Sequence, residues 1–147
     1  MVIFNSNQSY VIHEKNNSIQ IIKNNCQKSY SILEKDGNLN NNYFCVMNHL
    51  YVNSNRQNDF KDKFLNRFKR LNTVTGYKAL RFLEPHNENE HYIILTLWLD
   101  RQDFYNWQLS NQYKATHLNR GTNKGVDQHI VNRNLSYNIR FELANNS

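Results

Sequence analysis

Cysteine, proline and glycine are scarce in this chain, and long apolar runs are missing. Two cysteines in 147 residues, Cys26 and Cys45, make neither a disulfide framework nor a zinc site, so a reducing cytoplasm is the expected compartment. No apolar stretch approaches the roughly 18 residues a membrane span needs; the longest runs from Tyr92 to Trp98. The start, MVIFNSNQSY, has no basic region followed by an apolar segment and no small-residue cleavage site, so no secretory signal is expected. One proline and four glycines leave few places where the chain is punctuated, chiefly Gly76, Pro85 and the pair Gly121 and Gly125.

Aromatic residues are plentiful. They make up 13% of the chain, with nine Tyr and eight Phe, and large rings bury enough area to build a core although only 39% of residues are hydrophobic. Asparagine occurs 27 times, scattered rather than in tracts, which reads as compositional bias rather than architecture. Eighteen Lys and Arg against 12 Asp and Glu leave a charge of +6, which favours an anionic partner without naming one. The length fits one domain, with or without an extension.

From Phe44 onward the hydrophobic pattern is regular. In FCVMNHLYV, Phe44, Val46, Asn48, Leu50 and Val52 share one face of a strand, and Cys45, Met47, His49 and Tyr51 share the other. Asn48 is the one polar residue on its face. Phe60, Phe64, Phe68 and Leu71 then recur at helical spacing, with Lys61, Lys63, Arg67 and Arg70 outside, predicting an amphipathic helix of three to four turns with a solvated basic face. After NTVTG, Tyr77 to Leu83 reads as a strand, and after Pro85 and HNENEH, Tyr92 to Trp98 reads as a central strand apolar on both faces. Asp100 is a candidate N-cap for a helix through Phe104, Trp107 and Leu109, with a short second helix to His117. Arg120 to Asn134 reads as a loop, and Tyr137, Ile139, Phe141 and Leu143 alternate as a closing strand.

The order strand, helix, strand, strand, helix, strand is the ferredoxin-like βαββαβ arrangement, an α+β fold. It predicts a domain over residues 43–147 preceded by an extension over 1–42. In the extension, Ser9 to Glu14 and Ser18 to Ile22 predict a β-hairpin, and Lys28 to Lys35 a short helix with Tyr30, Leu33 and Ile32 as its inward-facing candidates.

His117 closes the segment TLWLDRQDFYNWQLSNQYKATH. Neutral imidazole suits iron, and aromatic faces suit a flat macrocycle, but most histidines at helix ends cap or face solvent, and both Trp98 and Trp107 fit core positions. His13, His49, His86, His91 and His129 share no metal-ligand spacing. Cys45 lies on the strand face opposite Asn48 and reads as a small buried hydrophobe. GTNKG is not a phosphate-binding loop, because Lys124 precedes Gly125.

Taken together, Trp98, the Asn106-Trp107 pair and YKATH resemble the antibiotic-biosynthesis-monooxygenase (ABM) superfamily, specifically its haem-degrading branch (IsdG type). Asn48, ahead of the FLNRF helix, matches that branch's asparagine on the first strand. YVIHE at Tyr10 to Glu14 and RGTNKGVD at Arg120 to Asp127 resemble a longer subfamily with an N-terminal extension. The shorter start here implies a trimmed or missing first strand. A sister group lacks the tryptophan equivalent to Trp107, so its presence points towards haem chemistry.

The resemblance implies haem as both cofactor and substrate, with dioxygen and electrons from a reductase giving an opened tetrapyrrole and free iron. His117 would be the axial iron ligand, Trp107 would press the porphyrin out of plane, and Asn48 would donate a hydrogen bond on the other side. Arg120 or Lys124 are candidates to meet the propionates. The short members of the family pair as homodimers, whereas the extension here could make a pseudo-dimeric monomer. The alternative is a non-catalytic haem-binding or regulatory protein on the same fold. Nucleic acid is disfavoured, because the basic residues are dispersed and no recognition motif is present.

Overall fold

The computed structural model describes residues 2–5, 10–67, 71–110 and 127–143. Its strands are β1 (Val2–Asn5), β2 (Tyr10–Lys15), β3 (Ser18–Lys23), β4 (Cys26–Asp36), β5 (Phe44–Val52), β6 (Tyr77–Pro85), β7 (Tyr92–Trp98) and β8 (Val131–Glu142). The helices are α1 (Gln57–Leu65), α2 (Arg101–Gln108) and a four-residue turn, α3 (Asp127–Ile130). All eight strands form one antiparallel sheet in the order β1-β2-β3-β4-β6-β7-β5-β8. The last four positions are the ferredoxin-like core, and the first 36 residues lengthen the sheet beyond β6. No helix among the described residues is long and apolar enough to cross a membrane.

Local chemistry accounts for most of the core elements. Asp100 caps α2 by accepting the Asp103 amide at 3.0 Å. Gly76 has φ +83°, and a side chain there would run into Asp103 at about 2.2 Å, so only glycine lets this turn pass the start of α2. α1 is shorter than its sequence period implies. It stops at Leu65, where Asn66 folds its side chain back to the Asp62 carbonyl at 2.8 Å, and Leu71 belongs to a separate 3-10 turn, Leu71–Thr73. Phe68 and Arg70 lie outside the described residues.

The basic face of α1 is not simply solvated, as the sequence pattern predicts. Arg67 grips Glu34 of β4 through two bonds of 3.0 and 2.7 Å and stacks on Phe64, and Lys61 pairs with Glu84 of β6 at 2.8 Å. Both basic groups stitch the helix to the sheet.

The extension departs furthest from the expected pattern. The hairpin over Ser9–Ile22 is present as β2 and β3, but residues 28–35, expected as a helix, are part of strand β4. Tyr30 and Ile32 face one side of the sheet; a bulge at Leu33 then turns both Leu33 and Glu34 to the other. A strand also precedes the hairpin despite the short start, since β1 pairs Val2 with Glu14 and Asn5 with Val11. The loop expected over Arg120–Asn134 ends earlier than its polarity implies, because α3 and the first four residues of β8 occupy Asp127–Asn134.

Asparagine has an architectural role after all. All four non-glycine residues with positive φ among the described residues are asparagines: Asn16, Asn24, Asn25 and Asn55. Asn24 and Asn25, at +50° and +65°, form the two-residue turn between β3 and β4, where a tight hairpin needs two left-handed residues. In a chain with four glycines, asparagine supplies that conformation.

The sheet has two unlike faces. The helices cover one. The other is covered by the extension itself: Tyr10, Ile12, Ile19, Ile21 and Tyr30 pack with Cys45, Met47, Ile93, Leu95 and Phe141 in one core. Tyr10 of β2 stacks on Phe141 of β8 with centroids 5.3 Å apart, although five strands separate β2 from β8 in the sheet. The sheet is therefore strongly curled, and this second face is concave.

Candidate functional site

On the helix face, cross-strand pairing aligns Asn48 with Ile94 of β7 and Asn138 of β8. On one side of this row, α1 packs Phe60 and Phe64 over Leu50, Phe82 and Tyr92. On the other side, α2 packs Phe104 and Trp107 over Phe44, Val46 and Trp98. Asn48 and Ile94 lie in the seam between these clusters and stay half-buried, while Val46 and Leu50 beside Asn48 on its face are buried. Among the described residues the Asn48 carboxamide has no hydrogen-bond partner, so a donor and an acceptor remain available over an apolar floor.

Trp107 sits in the last turn of α2, half-buried, with its ring 5.4 Å from Trp98 and inclined at 32°. Trp98 is completely buried and donates its indole N–H to Thr96 at 3.0 Å, which fixes the platform beneath Trp107. Asn48 and Trp107 therefore share one face, linked through Val46, and Trp98 packs. His117 lies outside the described residues, as do Arg120 and Lys124.

Cys45 sits on the opposite face from Asn48, with no exposed surface, and burial pushes its thiol far up. His49 also points to the concave face, stacked on Tyr137 at 4.3 Å. Burial pushes its imidazole down to about 4 against the opposing bond to the Met47 carbonyl, which favours the neutral ring. No group of three metal-ligating side chains occurs among the described residues. A separate polar depression of about 300 Å³ lies between the start of α1 and the end of β6; Lys61 and Glu84 in its wall pair with each other, and Glu88 also lines it.

Arg140 is a neighbour of the seam that the sequence pattern does not single out. The alternation of β8 draws attention to Tyr137, Ile139 and Phe141, which face the concave core. Asn138 and Arg140 have the opposite parity and face the helices. Arg140 stands 4.9 Å from the Phe104 ring centre and 5.4 Å from that of Tyr105, and its Nε donates to Asn138 at 2.8 Å.

The family model described as antibiotic biosynthesis monooxygenase matches residues 43–118. Three solved structures share the fold at 14% identity each. One, described as a major regulator of staphylococcal pathogenesis, has a TM-score of 0.71 over 95% of this chain and 81% of its own. A ferredoxin-fold protein of Listeria monocytogenes, related to antibiotic biosynthesis monooxygenases, has a TM-score of 0.60 over 95% and 82%. A haem-degrading enzyme of Listeria monocytogenes has a TM-score of 0.58 over 93% and 86%. At this identity the likeness establishes the fold.

Proposed function

Since the chain belongs to the antibiotic biosynthesis monooxygenase family, we propose that it is a haem-degrading monooxygenase, opening the porphyrin with dioxygen and reductase-derived electrons and releasing iron. The observation that carries this reading is the seam on the helix face, where an unpartnered amide, Asn48, and an aromatic wall, Trp107, flank an apolar floor. A flat apolar ring with anionic substituents suits such a slot in a +6 chain. The haem-degrading relative of the same fold supports it. Bound haem would supply the iron that activates dioxygen and would also be the ring that is opened.

The protein's own work is positional. Asn48 donates a hydrogen bond into the slot. Trp107, braced from behind by Trp98 and Phe104, resists displacement and would form a firm wall against the face of a bound ring. His117 would hold the metal through a neutral imidazole, which lacks the electron push of a thiolate ligand. The concave face, already filled by the extension, supports a pseudo-dimeric monomer.

The test is a haemin titration followed by ascorbate in air with catalase present. The parent chain is expected to bind near stoichiometrically, lose its Soret band and deliver iron to a chelator. His117→Ala should abolish the His-ligated spectrum. Trp107→Ala should bind haem but lose most of the degradation, with Trp107→Phe intermediate. The second reading, a non-catalytic haem-binding or regulatory protein on the same fold, is favoured by the better superposition on the staphylococcal regulator. It would take over if decay vanished with catalase or continued equally well in Trp107→Ala.

A further inference from the structure

We propose that Arg140 receives a carboxylate of the substrate at the edge of the Asn48 seam, an inference that rests on the haem reading above. The register opposes Arg140 to Val46 and Asn138 to Asn48, so Arg140 is the diagonal cross-strand neighbour of Asn48, roughly 7–8 Å away, on the same face.

Its position is defined from two directions. The rings of Phe104 and Tyr105 on α2 support the guanidinium as a cation over aromatic faces, and Asn138 holds its Nε at 2.8 Å. Arginine has five N–H donors; here the Nε–H is engaged, and the four on Nη1 and Nη2 meet no acceptor among the described residues. Four other described arginines are paired with carboxylates: Arg56 with Asp59, Arg67 with Glu34, Arg81 with Glu14 and Arg101 with Glu142. The acid two residues along β8, Glu142, is thus taken by Arg101. Among the described residues, Arg140 is left oriented and without a carboxylate.

A guanidinium fork matches a carboxylate through two parallel bonds, and one already held by packing loses little freedom on binding. The ligand it fits carries a carboxylate at the edge of an aromatic body lying against α2, as a porphyrin propionate would. Since α2 also carries Trp107, one helix would both press the ring and support the cation that holds its edge.

The test titrates the full-length protein and its Arg140→Gln variant with haemin and with haemin dimethyl ester, followed at the Soret band. Arg140→Gln is expected to weaken haemin binding about tenfold, the low end for a charge-assisted bond at an exposed site. The penalty of esterification should be smaller on the variant than on the parent chain by a similar factor. Equal haemin affinity in parent and variant, or an ester penalty as large in Arg140→Gln as in the parent, overturns the proposal while leaving the haem reading intact. A parent chain that binds neither ligand overturns that reading and the proposal with it. Asn138→Ala, which releases only the Nε anchor, should weaken haemin two- to threefold without altering the ester, and covers the case in which Arg140→Gln does not fold.

Discussion

The two faces of the sheet are made by the same strands yet finished differently. On the concave face every demand is met internally. Cys45, Met47, Leu95 and Leu97 have no exposure, and the one buried cation there, Arg81, spends all five donors: two on Glu14 of β2, one each on the carbonyls of Asp36, Gly37 and Leu80. On the helix face, among the described residues, two aromatic clusters meet without closing, and half-buried Asn48 lies between them. The difference teaches where stability and chemistry reside. Among the described residues, a closely packed face carries the stability, and the looser one carries the proposed site.

The comparison can be broken most severely at the join between extension and core. Glu14 and Arg81 are 5% and 0% exposed, so Arg81→Met leaves a buried carboxylate facing the more distant Lys35 at 3.8 Å and should cost about 3 kcal/mol in urea denaturation. Pairing it with Glu14→Leu should recover most of that loss. A single variant that unfolds like the parent would show that the extension is not docked through this pair.

Acid probes the same face. Burial lowers His49 from 6.5 to about 4, so the fold favours its neutral form. Stability is then whole above about pH 6.5. It falls as pH drops from there to about 4, because the unfolded chain takes up a proton that the fold refuses, by about 3 kcal/mol in all. His49→Phe, which keeps a ring against Tyr137, should flatten that stretch of the stability–pH curve; an unchanged slope would assign it to other groups.

Two consecutive residues sharpen the contrast. Met47 is fully buried on the concave face and Asn48 half-buried on the other. Met47→Ala should cost about 2–5 kcal/mol. Asn48→Ala, with no hydrogen bond to lose among the described residues, should stay within about 1 kcal/mol while altering the spectrum of added haemin. A large stability loss at Asn48 would mean that the seam is closed.

The core elements were legible because their signals are local. Period-two alternation in Phe44–Val52 and the Asp100 cap need no distant partner to be read. Asn48 stood out as a polar residue on an apolar face. β4 was not legible for an equally physical reason. Its bulge reverses the alternation at Leu33, and Tyr30 followed by Leu33 then imitates the three-residue step of a helix. Arg140 escaped because an exposed arginine on an edge strand is ordinary until the rings beneath it are known.

What the sequence determined by itself is the βαββαβ order, the face on which Asn48 lies and the aromatic stock of α2, all consequences of spacing along the chain. Only the tertiary structure decided that residues 10–36 curl over the concave face and that Glu14 meets Arg81 across 67 positions. It also decided that Asn24 and Asn25 must turn left-handed. Each of these depends on contacts between segments remote in sequence, or on the tight geometry of closing one strand against the next, and no local period encodes either.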